Sequence, residues 1–215
     1  MKKLLKIPYI IIDRLIQKLI PKYKKLRKYE QELKYWKDVL PSYLSIEYYR
    51  NYPDALHIDI NHFNNKRILD VGCGPLGAIN EFKNCEKFGI DPLIHDYNII
   101  GYPLWKHDIT YLNCYSEKMP FTTGFFDAVI AVNSLDHVDD FFKTAKEIIR
   151  ITKSGGEIIF QVEYHKPWNT EPQEINDIII LQAFFGCHME NVKSYFGTGK
   201  YKNVEYATWH GRKYI

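Results

Sequence analysis

From Arg67 onward the chain alternates short apolar runs with helical stretches, and that alternation restricts the fold more than any other feature. The strand-like runs cover residues 67–71, 87–91, 109–114, 126–132 and 157–164. Helical patterns occupy about 76–83, 141–151 and 174–185. Parallel strands need a crossover between them, and right-handed strand–helix–strand units place helices on both faces of the sheet. Two more runs, 191–196 and 204–210, flank a turn at 197–202 and read as a closing hairpin. The expected architecture is a doubly wound α/β sandwich of seven strands with an antiparallel last strand, occupying residues 65–215 and preceded by a helical extension, 1–64.

The extension is where the charge collects. Residues 1–28 carry ten Lys or Arg against the single acid Asp13, so a chain of net charge +3 has a mildly acidic body. Without a broad basic face, that body is not expected to bind nucleic acid. Between Pro8 and Pro21, Ile11, Ile12, Leu15, Ile16, Leu19 and Ile20 share one half of a helical wheel, with Pro21 expected to stop the helix. A second pattern, Leu26, Tyr29, Leu33, Trp36 and Leu40, ends at Pro41. The basic amphipathic segment suits peripheral contact of residues 1–28 with the inner face of an anionic membrane. Equally it suits packing on the second helix, across a homodimer, or as a cover over a substrate pocket. No run of about 18 apolar residues is present, which argues against a membrane-spanning helix, and no cleavage-site pattern suggests a signal peptide. Cys73, Cys85, Cys114 and Cys187 lack CxxC spacing, so the expectation is a cytoplasmic setting with neither metal nor disulfide framework.

The first strand runs into Asp70-Val-Gly72-Cys73-Gly74-Pro-Leu-Gly77, with glycines at the carboxyl end of a buried strand, where an open α/β sheet binds its ligand. Glycine there admits a cofactor to the backbone where a Cβ would hold it away. Formally this is GxGxxG with Asp91 about 20 residues on, a dinucleotide fingerprint. Asp70, however, would repel a pyrophosphate and suits a cationic ligand with an amino group. Dinucleotide domains also usually begin with this strand, whereas here some 65 residues precede it.

Taken in order, the motifs resemble those of the class I methyltransferases that use S-adenosylmethionine. Ile-Leu-Asp70-Val-Gly72-Cys-Gly74 is similar to the first motif, and Phe-Gly-Ile-Asp91-Pro92 to the second, whose acid binds the ribose hydroxyls. Ser116-Glu117-Lys-Met119-Pro-Phe121 resembles the stretch along the adenine, where Tyr115 replaces a frequent acid. Residues 126–138, with Asn133, Asp136 and His137, resemble the fourth strand and the turn facing the acceptor. Residues 148–156 resemble the helix and double-glycine turn leading to the fifth strand. The third loop glycine of that family usually stands where this chain has Leu76. The resemblance implies a Rossmann-like fold and a cofactor held by Asp70, Gly72, Cys73, Gly74, Asp91, Pro92, Ser116, Glu117 and Asn133.

Methyl transfer needs a positioned nucleophile and, for a hydroxyl, often a base. Asp136 and His137 beside the expected methyl position, and His165 with Glu163 after the fifth strand, are the catalytic candidates. Tyr164, His165 and Trp168 suit an acceptor wall within an irregular insertion marked by Pro167, Glu171 and Pro172. The turn at 135–138 and the stretch at 164–167 are similar to those of bacterial enzymes associated with surface polysaccharides. The resemblance therefore implies a small-molecule or glycan-type acceptor methylated on oxygen or nitrogen. The competing reading is a non-catalytic scaffold or sensor that binds S-adenosylmethionine and meets a membrane through its N-terminus.

Overall fold

The computed structural model describes residues 21–45, 51–168, 170–197 and 204–214. Seven strands form one sheet: β1 (Arg67–Val71), β2 (Glu86–Asp91), β3 (Thr110–Asn113), β4 (Phe126–Val132), β5 (Thr152–Tyr164), β6 (Cys187–Phe196) and β7 (Glu205–Lys213). Their order across the sheet is β3-β2-β1-β4-β5-β7-β6. The first five pair in parallel, whereas β7 runs antiparallel between β5 and β6. This is the expected doubly wound Rossmann-like sheet with its antiparallel last strand.

β1 and β4 are almost continuously buried because both of their faces are covered. On one face α4 (Phe141–Ile151) starts at Asp140, whose side chain accepts a hydrogen bond from the backbone N–H of Lys143. Phe141, Ala145 and Ile148 then recur at three- and four-residue spacing and bury against Leu69, Val129 and Phe160. On the other face α2 (Tyr52–Leu56) contributes Tyr52 and Leu56, packed with Phe63, Ile79 and Phe82 against Ile68, Ile130 and Ile159. A third cluster joins Trp36 of α1 (Pro21–Val39) to Tyr97 of α3 (Ile94–Ile100) and to Tyr102, whose hydroxyl donates to the Trp36 carbonyl at 2.8 Å. It holds α1 over the carboxyl ends of the strands.

Several local expectations are corrected. The helix expected over 76–83 is one 3-10 turn, Ala78–Glu81, bracketed by left-handed Gly77 and extended Phe82, which dives into the core. α3 is not legible in the sequence, because seven residues between Pro92 and the αL cap Gly101 are too few to show a period. β5 starts at Thr152 rather than after the double glycine. Gly155, at φ 72°, makes a bulge there instead of a turn, and the pairing with β4 shifts register between Phe126 and Ala128. The helix expected over 174–185 shortens to α5 (Asp177–Ala183), capped by Asn176 and followed at once by left-handed Gly186 and β6. β6 and β7 are correspondingly longer than 191–196 and 204–210. Pro21 is the first residue of α1; the amphipathic segment before it and most of the hairpin turn at 197–202 lie outside the described residues.

The loop entering β1 is fastened by Glu157 of β5, which accepts from Lys66 Nζ at 2.5 Å and pairs with His62 Nε2 at 2.6 Å. Burial alone would raise the Glu157 pKa, but its hydrogen bonds with Lys66 and His62 outweigh it and hold the carboxyl below its ordinary 4.5. Such a group stabilises the fold above 4.5, and that contribution is lost as pH falls through the lowered value. Glu157→Gln is therefore expected to cost about 1–3 kcal/mol at pH 7, with the difference shrinking in acid. Denaturant midpoints at pH 7 and pH 4 measure it.

Candidate functional site

The sheet fans out at β1: its neighbour on one side is β2, on the other β4, and the connections lead to opposite faces. Between the loops after β1 and β4 lies a cleft of about 930 Å³, its open mouth included. Gly72 and Cys73 donate to the Ile90 carbonyl at 2.8 and 3.1 Å, which curls the first loop over β2. Gly72 has φ 70°, and a Cβ there would stand 2.5 Å from Ser134 Cβ in the loop after β4. Ser134 Oγ donates to the Val71 carbonyl at 2.6 Å, closing the contact from the other side. Gly77 is equally confined, since its Cβ would meet the His107 ring at 2.5 Å. Of the three loop glycines, Gly74 keeps the most room: a Cβ there would lie 3.4 Å from its nearest neighbour, Trp36 of α1.

Acids surround this floor. Asp91, at the end of β2, accepts from the Gly74 and Leu93 amides at 3.2 and 2.8 Å. Its burial raises the carboxyl to about 6 although those two N–H groups oppose the rise. Asp70 is fully buried, and neither of its oxygens has a well-formed hydrogen bond. Burial pushes it up to about 8; the Tyr52 hydroxyl offsets part of this, and Asp91 adds to it. Asp70 does not itself line the cleft; Tyr52, Cys73 and Asp91, which interact with it, do. Asn133 ends β4 in the left-handed region at φ 49°, and its buried Oδ1 has no partner in the cleft wall. Strain and an unmet acceptor at one residue mark a place where a ligand completes the structure.

Ser116 and Glu117 line the same cleft but are also tied to α4. Ser116 Oγ is 2.9 Å from Thr144 Oγ1, and Glu117 accepts from the Asp139 and Asp140 amides at 2.7 and 3.0 Å. The structure thus brings Gly72, Cys73, Gly74, Asp91, Pro92, Ser116, Glu117, Asn133 and His137 to one cavity. Asp136 and His165 sit just outside its wall, linked to each other at 3.1 Å. Burial works against charge on His137, but Asp136, Glu32 and Glu171 outweigh it and raise the imidazole to about 9. For His165 the hydrogen bond to Asp136 leads, against burial, and also raises it to about 9. The carboxylates around both rings thus favour their charged forms. Glu163 goes up to about 7, through burial and then Asp136 and Glu171.

The roof comes from the helical extension, through residues of α1 that the sequence does not assign to the site. Lys28, Tyr29, Glu32 and Trp36 of α1 all line the cleft. Lys28 Nζ donates to the His137 carbonyl at 2.7 Å and pairs with Asp139 at 2.6 Å, with Lys25 on the same carboxylate at 2.5 Å. Lys25 also lies 3.7 Å over the Tyr115 ring. The spacing of Tyr29, Leu33 and Trp36 does announce a packed helical face, yet a periodicity names no partner. Two cations of the basic N-terminal run are thereby engaged with Asp139, Lys28 buried and Lys25 partly exposed.

The acidic floor fits S-adenosylmethionine, which carries a sulfonium and an ammonium, better than a pyrophosphate. Asp91, which lines the cleft, is the clearest observation, and Asp70 adds negative charge from behind Tyr52 and Cys73.

Residues 69–160 match the family model described as a methyltransferase domain. Cycloartenol-C-24-methyltransferase of Arabidopsis thaliana is 33% identical over 99 residues, 42% of this chain and 29% of that protein. The chloroplastic tocopherol O-methyltransferase of the same plant is 23% identical over 165 residues, 67% of this chain and 46% of that one. The chain spans less than half the length of either relative. Among solved structures, a S-adenosylmethionine-dependent methyltransferase of Thermotoga maritima, described as a possible histamine N-methyltransferase, superposes with a TM-score of 0.63. It is 16% identical and covers 87% of this chain and 98% of that one.

Because folding raises the Asp70 pKa, its contribution to stability is complete below the ordinary 3.8 and is lost as pH rises through about 8. In the ligand-free protein Asp70→Asn is expected to raise Tm at pH 8, by roughly 2–4 °C per kcal/mol relieved. The gain should vanish near pH 4. Paired thermal melts at the two pH values check it; an equal shift at both would refute the burial argument.

Proposed function

We propose a function for a chain that belongs to the class I S-adenosylmethionine-dependent methyltransferases: transfer of a methyl group to an oxygen or nitrogen of a small-molecule or glycan-type acceptor. The observation that carries it is the acidic cleft at the divergence of β1 and β4, with Asp91 at one end and the Asp136–His165 pair beside the other. S-adenosylmethionine supplies an electrophilic methyl on a sulfonium, open to in-line displacement. Asp91 is placed to receive ribose hydroxyls, and Asn133 offers its unmet oxygen to the bound cofactor. Ser116 and Glu117, fixed by α4, border the region the family uses for adenine. α1 keeps water from the floor through Trp36.

On the acceptor side the wall holds Glu32, His137 and Thr170, with Asp136, His165 and Glu171 next to them. Such a wall recognises hydroxyls and amines. The relatives are named for methylation at carbon and at oxygen, so the shared fold leaves the atom to this wall. His137, on that wall, is placed to orient an acceptor through its ring, with Asp136 and His165 behind it. The cytoplasmic setting and membrane contact remain proposals attached to residues 1–24, since Lys25 and Lys28 are engaged with Asp139.

The purified chain, given methyl-labelled S-adenosylmethionine and a panel of sugar, nucleotide-sugar and amine acceptors, is expected to transfer label. Asp91→Ala should weaken cofactor binding by about 1–3 kcal/mol, roughly tenfold or more, with the fold intact by circular dichroism. Cofactor binding without turnover on the panel or on cell extracts would favour the scaffold or sensor reading. No cofactor binding at all would overturn both.

A further inference from the structure

Beside the cleft, three side chains from two different loops bring one ligand atom each into a common space. Asp136 Oδ2 lies 3.1 Å from His165 Nε2, and Glu171 Oε2 lies 3.2 Å from the same nitrogen. All three atoms fall within 4.8 Å of one another. His137 Nε2 is 3.9 Å from Asp136 Oδ2 and 3.8 Å from Glu171 Oε1, so a second imidazole faces both carboxylates. Donors bound side by side at about 2.1 Å from one cation are separated by roughly 3 Å, which is the spacing of His165 Nε2 from each carboxylate oxygen.

Two further details favour a cation over a proton. His165 Nδ1 stands 2.8 Å from the Lys166 carbonyl, an acceptor only, so Nδ1 carries the hydrogen. That arrangement orients metal-binding histidines and leaves Nε2 to its ligand. A proton on Nε2 would have to serve two carboxylates at once, whereas a cation is coordinated by all three groups. Asp136 is fully buried, and its second oxygen, Oδ1, has no hydrogen-bond partner. A buried carboxylate with an unmet oxygen is costly without a compensating positive charge.

We propose that Asp136, His165 and Glu171, with His137 as a fourth neighbour, form a site for a first-row divalent cation of the Zn²⁺ or Mn²⁺ kind. Mixed imidazole and carboxylate donors select such ions over Mg²⁺ and Ca²⁺, which take oxygen alone. The spacing of these residues along the chain carries no metal signature, and the expectation from sequence is that none is bound. Parallel pairing of β4 with β5 is what brings the loop holding Asp136 to the one holding His165 and Glu171. His137 and Thr170 connect the site to the cleft. If the methyl-transfer reading holds, the ion's role follows from it: a hydroxyl bound to a divalent cation is a stronger acid than in water.

The test uses the full chain stripped with EDTA, titrated with Co²⁺ by visible absorption and with Zn²⁺ by calorimetry. One Co²⁺ per chain is expected, with ligand-field bands of nitrogen and oxygen donors and no thiolate charge-transfer band, since no cysteine belongs to the donor set. His165→Gln and Glu171→Gln should each weaken binding roughly tenfold or more, and abolish the rise in Tm that Co²⁺ gives the parent chain. Both residues are less buried than Asp136, and their circular dichroism reports whether the variants fold. Binding that survives both substitutions, a thiolate band, or the absence of stoichiometric Co²⁺ overturns the proposal. A chain that binds the ion at these residues yet transfers no methyl upholds the site and sinks the functional reading instead.

Discussion

The cleft depends on how closely two loops approach each other at the point where the sheet changes direction. Gly72 and Ser134 meet there with less than a side chain's width between them, and the Ser134 hydroxyl bonds across to the Val71 carbonyl. A methyl group at position 72 would force the loops after β1 and β4 apart. Asn133 and Asp136 are carried on one of those loops and Gly74 on the other, so their separation is fixed by this one contact. The glycine thus serves protein packing first, and cofactor approach falls to Gly74.

The site's electrostatics are lopsided. Asp70 and Asp91 are buried on its floor with carboxyls raised by desolvation. The cations of α1 that come near, Lys25 and Lys28, are bound to Asp139 instead, whose pKa they hold down against the effect of burial. The floor is left to be neutralised by whatever binds. At the far end two imidazoles lie among carboxylates, which favour their charged forms.

Much of this is legible in the sequence, for stateable reasons. β1 and β4 read as strands because burial on both faces leaves a run of apolar residues that no helix period explains. Asp70, Asp91 and Asn133 stand out because each closes or directly follows such a strand. What fails is anything set by contact between distant segments. Nothing local distinguishes Gly77 facing His107 from Gly74 facing the cleft. Glu171 reads as part of an irregular loop, and its meeting with Asp136 and His165 follows only from the β4–β5 register. Lys28 reads as surface charge although it is 6% exposed. The bulge at Gly155 shows the same limit: a double glycine announces a break but not whether the strand resumes in line.

The position of β7 has a consequence for how the molecule is made. It follows β6 in the chain yet lies between β5 and β6, and it supplies buried Ala207 and Trp209. During synthesis β6 therefore emerges before the strand that will join it to the sheet, and β5 waits with an open edge that no earlier segment can fill. Until residues past 205 leave the ribosome, the half-built sheet presents two unsatisfied edges, a period in which mispairing with another chain competes with folding. The polar side chains along β6, Glu190, Lys193 and Ser194 among them, are suited to keep that waiting strand in water.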